Sequence, residues 1–84
     1  MSLLFFSDAD LREMLEKTEP IEPILTQGGR YKWPFSSMSI GAAVVICGDL
    51  GLRAQAAAHV YARVSGMSFV TKTVENKTLI VRAQ

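Results

Sequence analysis

Apolar positions change their spacing several times along the chain, and each spacing predicts a different element. Leu11, Met14 and Leu15 follow the i, i+3, i+4 spacing of one helical face. Ser7 precedes them as a helix N-cap, and the helix should end before Pro20, because a proline disfavours helical backbone in the residue before it. We therefore predict an N-terminal helix with one apolar stripe, and we expect the stripe to pack on the same chain.

The next segment carries the signs of a connector and an aromatic loop. Pro20 and Pro23, followed by Gly28 and Gly29, predict an extended connector that a flexible turn closes. Three aromatic residues then fall within positions 31–35, where a proline forbids a central strand. We predict a loop or sheet edge whose rings cap one end of the core.

The remainder of the chain predicts the order strand, helix, strand, strand. The strands are 42–47, 69–74 and 78–82, and the helix is 52–65, with Gly66 as its left-handed cap. A turn at residues 76 and 77 would place Val74 opposite Leu79 and Lys72 opposite Val81. The broad apolar face of the helix comprises Ala56, Ala57, Val60, Tyr61 and Val64. A narrow polar stripe comprises Gln55, His59 and Arg63.

These elements together predict an α+β fold in which an N-terminal helical arm precedes a βαββ body. We expect a small sheet with antiparallel pairing, packed on one helix, and one compact domain, because 84 residues are too few for two. Charge divides the chain. Residues 1–29 form an acidic arm and connector with six acids against two bases, whereas residues 30–84 form a basic body with seven bases against two acids. The apolar fraction of 49% leaves homodimer formation open.

Cysteine usage and hydropathy indicate a cytoplasmic protein. The lone Cys47 ends an apolar run, which suggests a reduced and buried thiol. The apolar residues 3–6 are too few for a secretory signal, and the run 40–47 is too short to span a membrane. We expect no membrane association.

Candidate catalytic and cofactor chemistry is weak. One histidine, His59, and one cysteine cannot assemble a metal cluster with the usual ligand spacing. Gly48, Asp49, Leu50 and Gly51 lie where nucleotide-binding loops occur, but they match neither phosphate-binding glycine motif and favour a tight strand-to-helix turn. We predict that the protein is not an enzyme and needs no cofactor.

Two binding functions compete. Basic side chains beside aromatic ones suit a nucleic-acid surface, because cations meet phosphates while rings meet bases. The candidate residues for this function are Arg30, Lys32, Trp33, Arg63, Lys72 and Arg82. Alternatively, the aromatic loop and the acidic arm bind a protein, for example to inhibit or redirect a host factor. The candidate interface residues are Tyr31, Trp33, Phe35 and Met38.

Short motifs over residues 33–82 resemble a family of small, largely uncharacterised proteins of tailed bacteriophages. The resemblance rests on Trp33-Pro34, on Met38-x-Ile40-Gly41 before a strand, on an Ala-rich helix, and on Gly66-x-x-Phe69-x-Thr71-Lys72-x-Val74 before a last strand that ends at Arg82. The helix in that family is usually strongly basic, whereas here it carries only Arg53 and Arg63. The resemblance implies a phage accessory protein acting in an infected bacterial cytoplasm, and it implies no particular activity.

Overall fold

The structure is a computed structural model that describes residues 6–84, and it has the predicted α+β architecture. Its elements are α1 (Asp8–Lys17), β1 (Ile24–Leu25), β2 (Tyr31–Lys32), β3 (Ala43–Cys47), α2 (Asp49–Ser65), β4 (Phe69–Val74) and β5 (Lys77–Arg82). A short 3-10 helix, Phe35–Ser37, lies between β2 and β3.

Helix α1 begins and ends where local sequence signals place it. The Ser7 hydroxyl accepts a hydrogen bond from the Asp10 amide, and the Asp10 carboxylate accepts one from the Ser7 amide. This reciprocal capping box satisfies two amide donors that a helix start otherwise leaves unpaired. Helix α1 ends at Lys17, as predicted, ahead of Pro20.

The main sheet has three antiparallel strands in the order β3-β5-β4. Beyond β3, the Ile21 amide donates to the Val45 carbonyl over 2.9 Å, so the connector covers part of that edge. Strands β1 and β2 form a separate two-stranded antiparallel hairpin, which sequence analysis had read as connector and loop. In the main sheet, β5 follows β3 and β4 in sequence but lies between them.

The predicted register of the β4–β5 hairpin is wrong by two positions. The turn consists of Glu75 and Asn76, so Val74 pairs with Lys77 and Lys72 pairs with Leu79. A shift of two residues keeps every side chain on its predicted face, because side chains alternate with a period of two.

Both faces of the main sheet are covered, which corrects the prediction of a sheet packed on one helix. Helix α2 covers one face, and the core between them comprises Phe35, Met38, Ile46, Ala54, Ala58 and Ile80. Helix α1 covers the other face, and that core comprises Leu11, Leu15, Val45, Leu79 and Val81. The N-terminal arm is thus one of three packed layers, and its apolar stripe packs on its own chain as expected.

Helix α2 meets the sheet through its smallest residues, and this corrects the predicted apolar face. Gly51, Ala54 and Ala58 are buried. A Cβ atom at Gly51 would lie 2.4 Å from the Thr78 hydroxyl oxygen, so only glycine permits this approach of α2 to β5. Because the small residues face inward, the larger Val60 and Val64 remain 62% and 79% exposed.

Two further observations concern the predicted cellular setting. Cys47 is exposed rather than buried, because the last residue of β3 lies beyond the part of the strand that the core covers. Neither helix within residues 6–84 is long and apolar enough to cross a membrane.

Candidate functional site

Aromatic side chains form a continuous row from the β1–β2 hairpin into the α2 core. The ring centroids of Tyr31 and Trp33 are 5.5 Å apart, and those of Trp33 and Phe35 are 6.1 Å apart in a stacked arrangement. Phe35 then contacts Tyr61 of α2 and Phe69 of β4 with tilted rings. Such offset and tilted geometries are favourable for aromatic pairs, so the row fixes the loop against the helix.

An open apolar groove of about 420 Å³ runs between this row and helix α2. Its lining residues are Trp33, Phe35, Ser36, Ala57, Val60, Tyr61 and Val64. Phe35 forms part of the lining but is only 2% exposed, so the groove rests on the buried core. A concave apolar surface with a rigid base suits the capture of apolar side chains from a partner.

A second hollow continues this surface on the other side of Trp33. It shares Trp33 and Ser36 with the groove, and it adds Ile24 and Lys32. Ile24 is 66% exposed. Trp33 therefore stands between two hollows, with a cationic side chain on one flank.

Lys72 is partly buried on the α1 side of the sheet, opposite the side on which Trp33 and Arg63 lie. Its side chain lies under α1, where the ammonium donates a hydrogen bond to the Asp8 carboxylate. The Arg12 guanidinium donates to the same carboxylate over 2.9 Å. Lys72, and to a smaller extent Arg12, hold the pKa of the Asp8 carboxyl below its usual value. This contact fastens α1 to β4.

Arg82 is also occupied by contacts within the chain. Its Nη1 atom donates to the Met38 carbonyl oxygen over 2.8 Å, and its Nε atom donates to the Gln84 carbonyl oxygen over 3.2 Å. These bonds fix the segment that leads into β3 against the end of β5. The guanidinium therefore has a structural role that sequence analysis did not predict.

Four of the six candidate nucleic-acid residues remain at least partly accessible, and two of these, Trp33 and Arg63, lie on the α2 side of the sheet. Arg30, Lys32 and Arg63 are exposed, and Trp33 is half-buried. The three ion pairs among the described residues are formed by Arg12, Lys17 and Lys72. Arg30, Lys32 and Arg63 therefore have no acidic partner within residues 6–84.

The candidate protein interface needs a correction at two positions. Phe35 and Met38 belong to the core, at 2% and 5% exposure, because the 3-10 helix turns both side chains toward Ile46 and Ile80. Tyr31 and Trp33 are half-buried and keep an accessible edge. Sequence analysis missed the role of Val60 and Val64 as exposed walls. The signal that could have revealed it is the i, i+4 pair Ala54 and Ala58, whose small size marks the close-packed face.

The lining of the groove suits the binding of apolar groups, and it has few side chains that could act as an acid, a base or a nucleophile. None of the described residues that line it carries a carboxylate, imidazole, thiol or amine. Over residues 6–84, no three side chains of the metal-ligating types lie together. The predicted turn at residues 48–51 is shorter than expected: Gly48, with a φ of +73°, is the N-cap of α2, and Asp49, Leu50 and Gly51 already belong to the helix, which begins three residues earlier than predicted.

Comparisons with protein-family models, with curated proteins and with solved structures find no match for this chain.

Proposed function

We propose that the protein is a non-enzymatic binding module whose groove, between the aromatic row and α2, holds an apolar segment of a partner protein. The observation that carries this proposal is the exposure of Val60 and Val64 beside Trp33, over a base that is already packed. Aromatic side chains such as Trp33 and Tyr61 are enriched in interface hot spots, and the two exposed valines extend the apolar area that a partner can cover. Helix α2 packs on the sheet through Gly51, Ala54 and Ala58, so the two valines are not part of the core that stabilises the fold.

The charges around the groove favour a partner segment with acidic residues beside its apolar anchors. Lys32 lines the adjoining hollow, and Arg63 precedes Val64 on α2; neither forms an ion pair among the described residues. Complementary charge at the edge of an interface speeds association and excludes partners of the wrong sign. In the setting that the phage resemblance implies, the partner is a protein of the bacterial host.

A displayed library of random 16-residue peptides, selected on the full-length protein, tests this proposal. We expect the selected peptides to combine aliphatic or aromatic anchors with aspartate or glutamate. A labelled peptide from this pool should lose at least tenfold in affinity with Val64→Glu or Trp33→Ala, measured by fluorescence anisotropy. Burying a new charge, or losing an aromatic hot-spot anchor, typically costs about 2 kcal/mol or more of binding free energy, and a tenfold loss of affinity corresponds to about 1.4 kcal/mol.

The matched control is Ile40→Glu, because Ile40 is an aliphatic residue of 57% exposure that does not line the groove. Its peptide affinity should equal that of the wild type. Failure to select any peptide, or equal losses with Ile40→Glu and Val64→Glu, would contradict the proposal.

Nucleic-acid binding is a second candidate, favoured by three exposed cations that form no ion pair within residues 6–84. On this proposal Arg30, Lys32 and Arg63 contact phosphates and Trp33 stacks on a base. Lys32→Glu and Arg63→Glu should each weaken binding of a single-stranded oligonucleotide, and the affinity should fall steeply with added salt. Lys72→Ala should leave it unchanged, because that side chain is already paired with Asp8. An oligonucleotide affinity that does not change with salt concentration would contradict this candidate.

A further inference from the structure

The outward side of α2 carries a short apolar strip with opposite charges at its two ends. Leu52 and Val60 each lie four residues from Ala56, so the three form one ridge along the helix. Asp49 and Arg63 each lie seven residues from Ala56, which is close to two full turns and keeps them on the same side. All five residues are exposed.

This strip lies opposite the sheet, and its centre is the smallest residue in it. Ala54 and Ala58 are fully buried, and Ala56 lies between them in sequence, on the other side of the helix. Leu52 is 63% exposed. An alanine at the middle of an exposed apolar ridge allows a second helix to approach closely, with larger aliphatic side chains packing on both sides of it.

We propose that α2 pairs with the α2 helix of a second copy of this chain, antiparallel, about a two-fold axis at Ala56. In this arrangement Leu52 of each copy meets Val60 of the other. Asp49 of each copy meets Arg63 of the other, so two identical ion pairs close the ends of the contact. A two-fold interface must be self-complementary, and this strip meets that condition in both shape and charge.

The charges also select the direction of pairing. Parallel helices in register would place Asp49 beside Asp49 and Arg63 beside Arg63, which is repulsive at both ends. Antiparallel helices instead place Asp49 beside Arg63 at each end, which is attractive. Each end lies about 10.5 Å along the helix from the axis, and at a shallow crossing angle of about 20° the helices stay close enough there for the long Arg63 side chain to reach Asp49.

The dimer goes beyond the proposed function, and it leaves most of the groove open. Tyr61 and Val64, which line the groove, lie to one side of the strip around the helix, and only Val60 borders both surfaces. One helix face supplies less than the 1,200–2,000 Å² or so that stable interfaces bury, so we expect a weak dimer with a dissociation constant in the micromolar range.

Sedimentation equilibrium of the full-length protein over a range of concentrations tests the proposal. Asp49→Lys and Arg63→Glu should each raise the dissociation constant roughly tenfold or more, because each variant replaces two attractions with two repulsions. The variant that carries both substitutions should recover most of the wild-type affinity. Lys77→Glu, which reverses an exposed cation at the start of β5, should have no effect.

Three outcomes would overturn the dimer: a wild-type protein that is monomeric at millimolar concentration, two single variants without effect, or a double variant that stays as weak as the singles. Circular dichroism establishes that each variant is folded. Should Asp49→Lys unfold, Leu52→Glu takes its place, because its exposed position makes no demand on the core. Peptide binding in the groove should survive Asp49→Lys and Leu52→Glu, because neither residue lines the groove, so failure of the dimer is distinguishable from failure of the proposed function.

Discussion

At the scale of single residues, Glu75 has the least favourable backbone conformation among the non-glycine residues described. Its φ of +56° lies in the left-handed region, where a side chain other than glycine or asparagine is disfavoured. The two-residue turn between β4 and β5 requires this conformation of its first residue. The sequence-based prediction placed the turn one residue later, at residues 76 and 77, and so did not identify Glu75 as the strained position.

Replacing Glu75 with glycine should therefore stabilise the protein. The left-handed backbone costs about 1–2 kcal/mol for a residue other than glycine, and this strain is relieved by the substitution. Glycine also makes the unfolded chain more flexible, which offsets about 0.5–1 kcal/mol of the stabilisation. We expect Glu75→Gly to raise the free energy of unfolding by about 0.5–1 kcal/mol, measured by urea denaturation.

Glu22→Gly is the matched control, since Glu22 is an exposed glutamate without a positive φ. It should be neutral or destabilising. Equal effects of the two substitutions would show that the turn stores no strain.

At the scale of elements, the sequence predicts what is local and fails on what is tertiary. The start of α1 is encoded within four residues by Ser7 and Asp10, so its bounds follow from sequence alone. The orientation of α2 is different. Apolar residues occur around most of this helix, and the buried small residues Gly51, Ala54 and Ala58 mark the side that faces the sheet. The i, i+4 pair of alanines could have indicated the valine wall of the groove, but the position of the aromatic row opposite that wall depends on tertiary packing.

The attachment of α1 to the sheet should depend on pH through Asp8. Its carboxyl has a pKa below the unfolded value, because the charged form accepts hydrogen bonds from Lys72 and Arg12. The stabilising contribution is therefore complete above the unfolded pKa, near pH 4, and is lost as the pH falls through the lower folded pKa. Asp8→Asn should lower the stability at neutral pH, and its difference from the wild type should vanish in strong acid, as urea midpoints across this range would show.

Glu13 provides the control for that experiment. It accepts a hydrogen bond from Lys17 within α1 and makes no ion pair with the sheet. Exposed pairs within one helix contribute little, so Glu13→Gln should change the stability less than Asp8→Asn at neutral pH. Should the two variants behave alike, the link from α1 to β4 adds no stability.

At the scale of the whole molecule, the acidic arm and the basic body are layers of one structure. Leu11 and Leu15 of the arm share a core with Leu79 and Val81 of the body. The charge division found in the sequence therefore does not separate two domains. A protein cut before Arg30 would expose the sheet face that α1 covers, so removal of the arm is expected to unfold the body.

Leu15→Ala should accordingly destabilise regions far from α1. Leu15 is buried, and its truncation typically costs about 2–4 kcal/mol. Trp33, the single tryptophan, packs on the opposite side of the sheet. We expect its fluorescence and the helical circular dichroism to report one shared transition, shifted to lower denaturant concentration by Leu15→Ala.

The matched control is Leu25→Ala, because Leu25 is an exposed leucine whose truncation should change the stability by no more than about 0.5 kcal/mol. If the denaturant midpoint followed by tryptophan fluorescence is the same in Leu15→Ala and the wild type, the arm unfolds independently of the body.

The central position of β5 has a consequence for the order of events during synthesis. Strands β3 and β4 each pair with β5 and are not hydrogen-bonded neighbours in the described sheet, and the ribosome makes β5 after both of them. Until β5 emerges, the nascent chain cannot begin this sheet, and both helices lack the surface on which they pack. Pairing Ala43 with Val81 also closes a long loop, which slows folding relative to local contacts. Translation therefore delivers the apolar segments well before their partner, and an interrupted chain that lacks β5 is a natural substrate for chaperones and proteases.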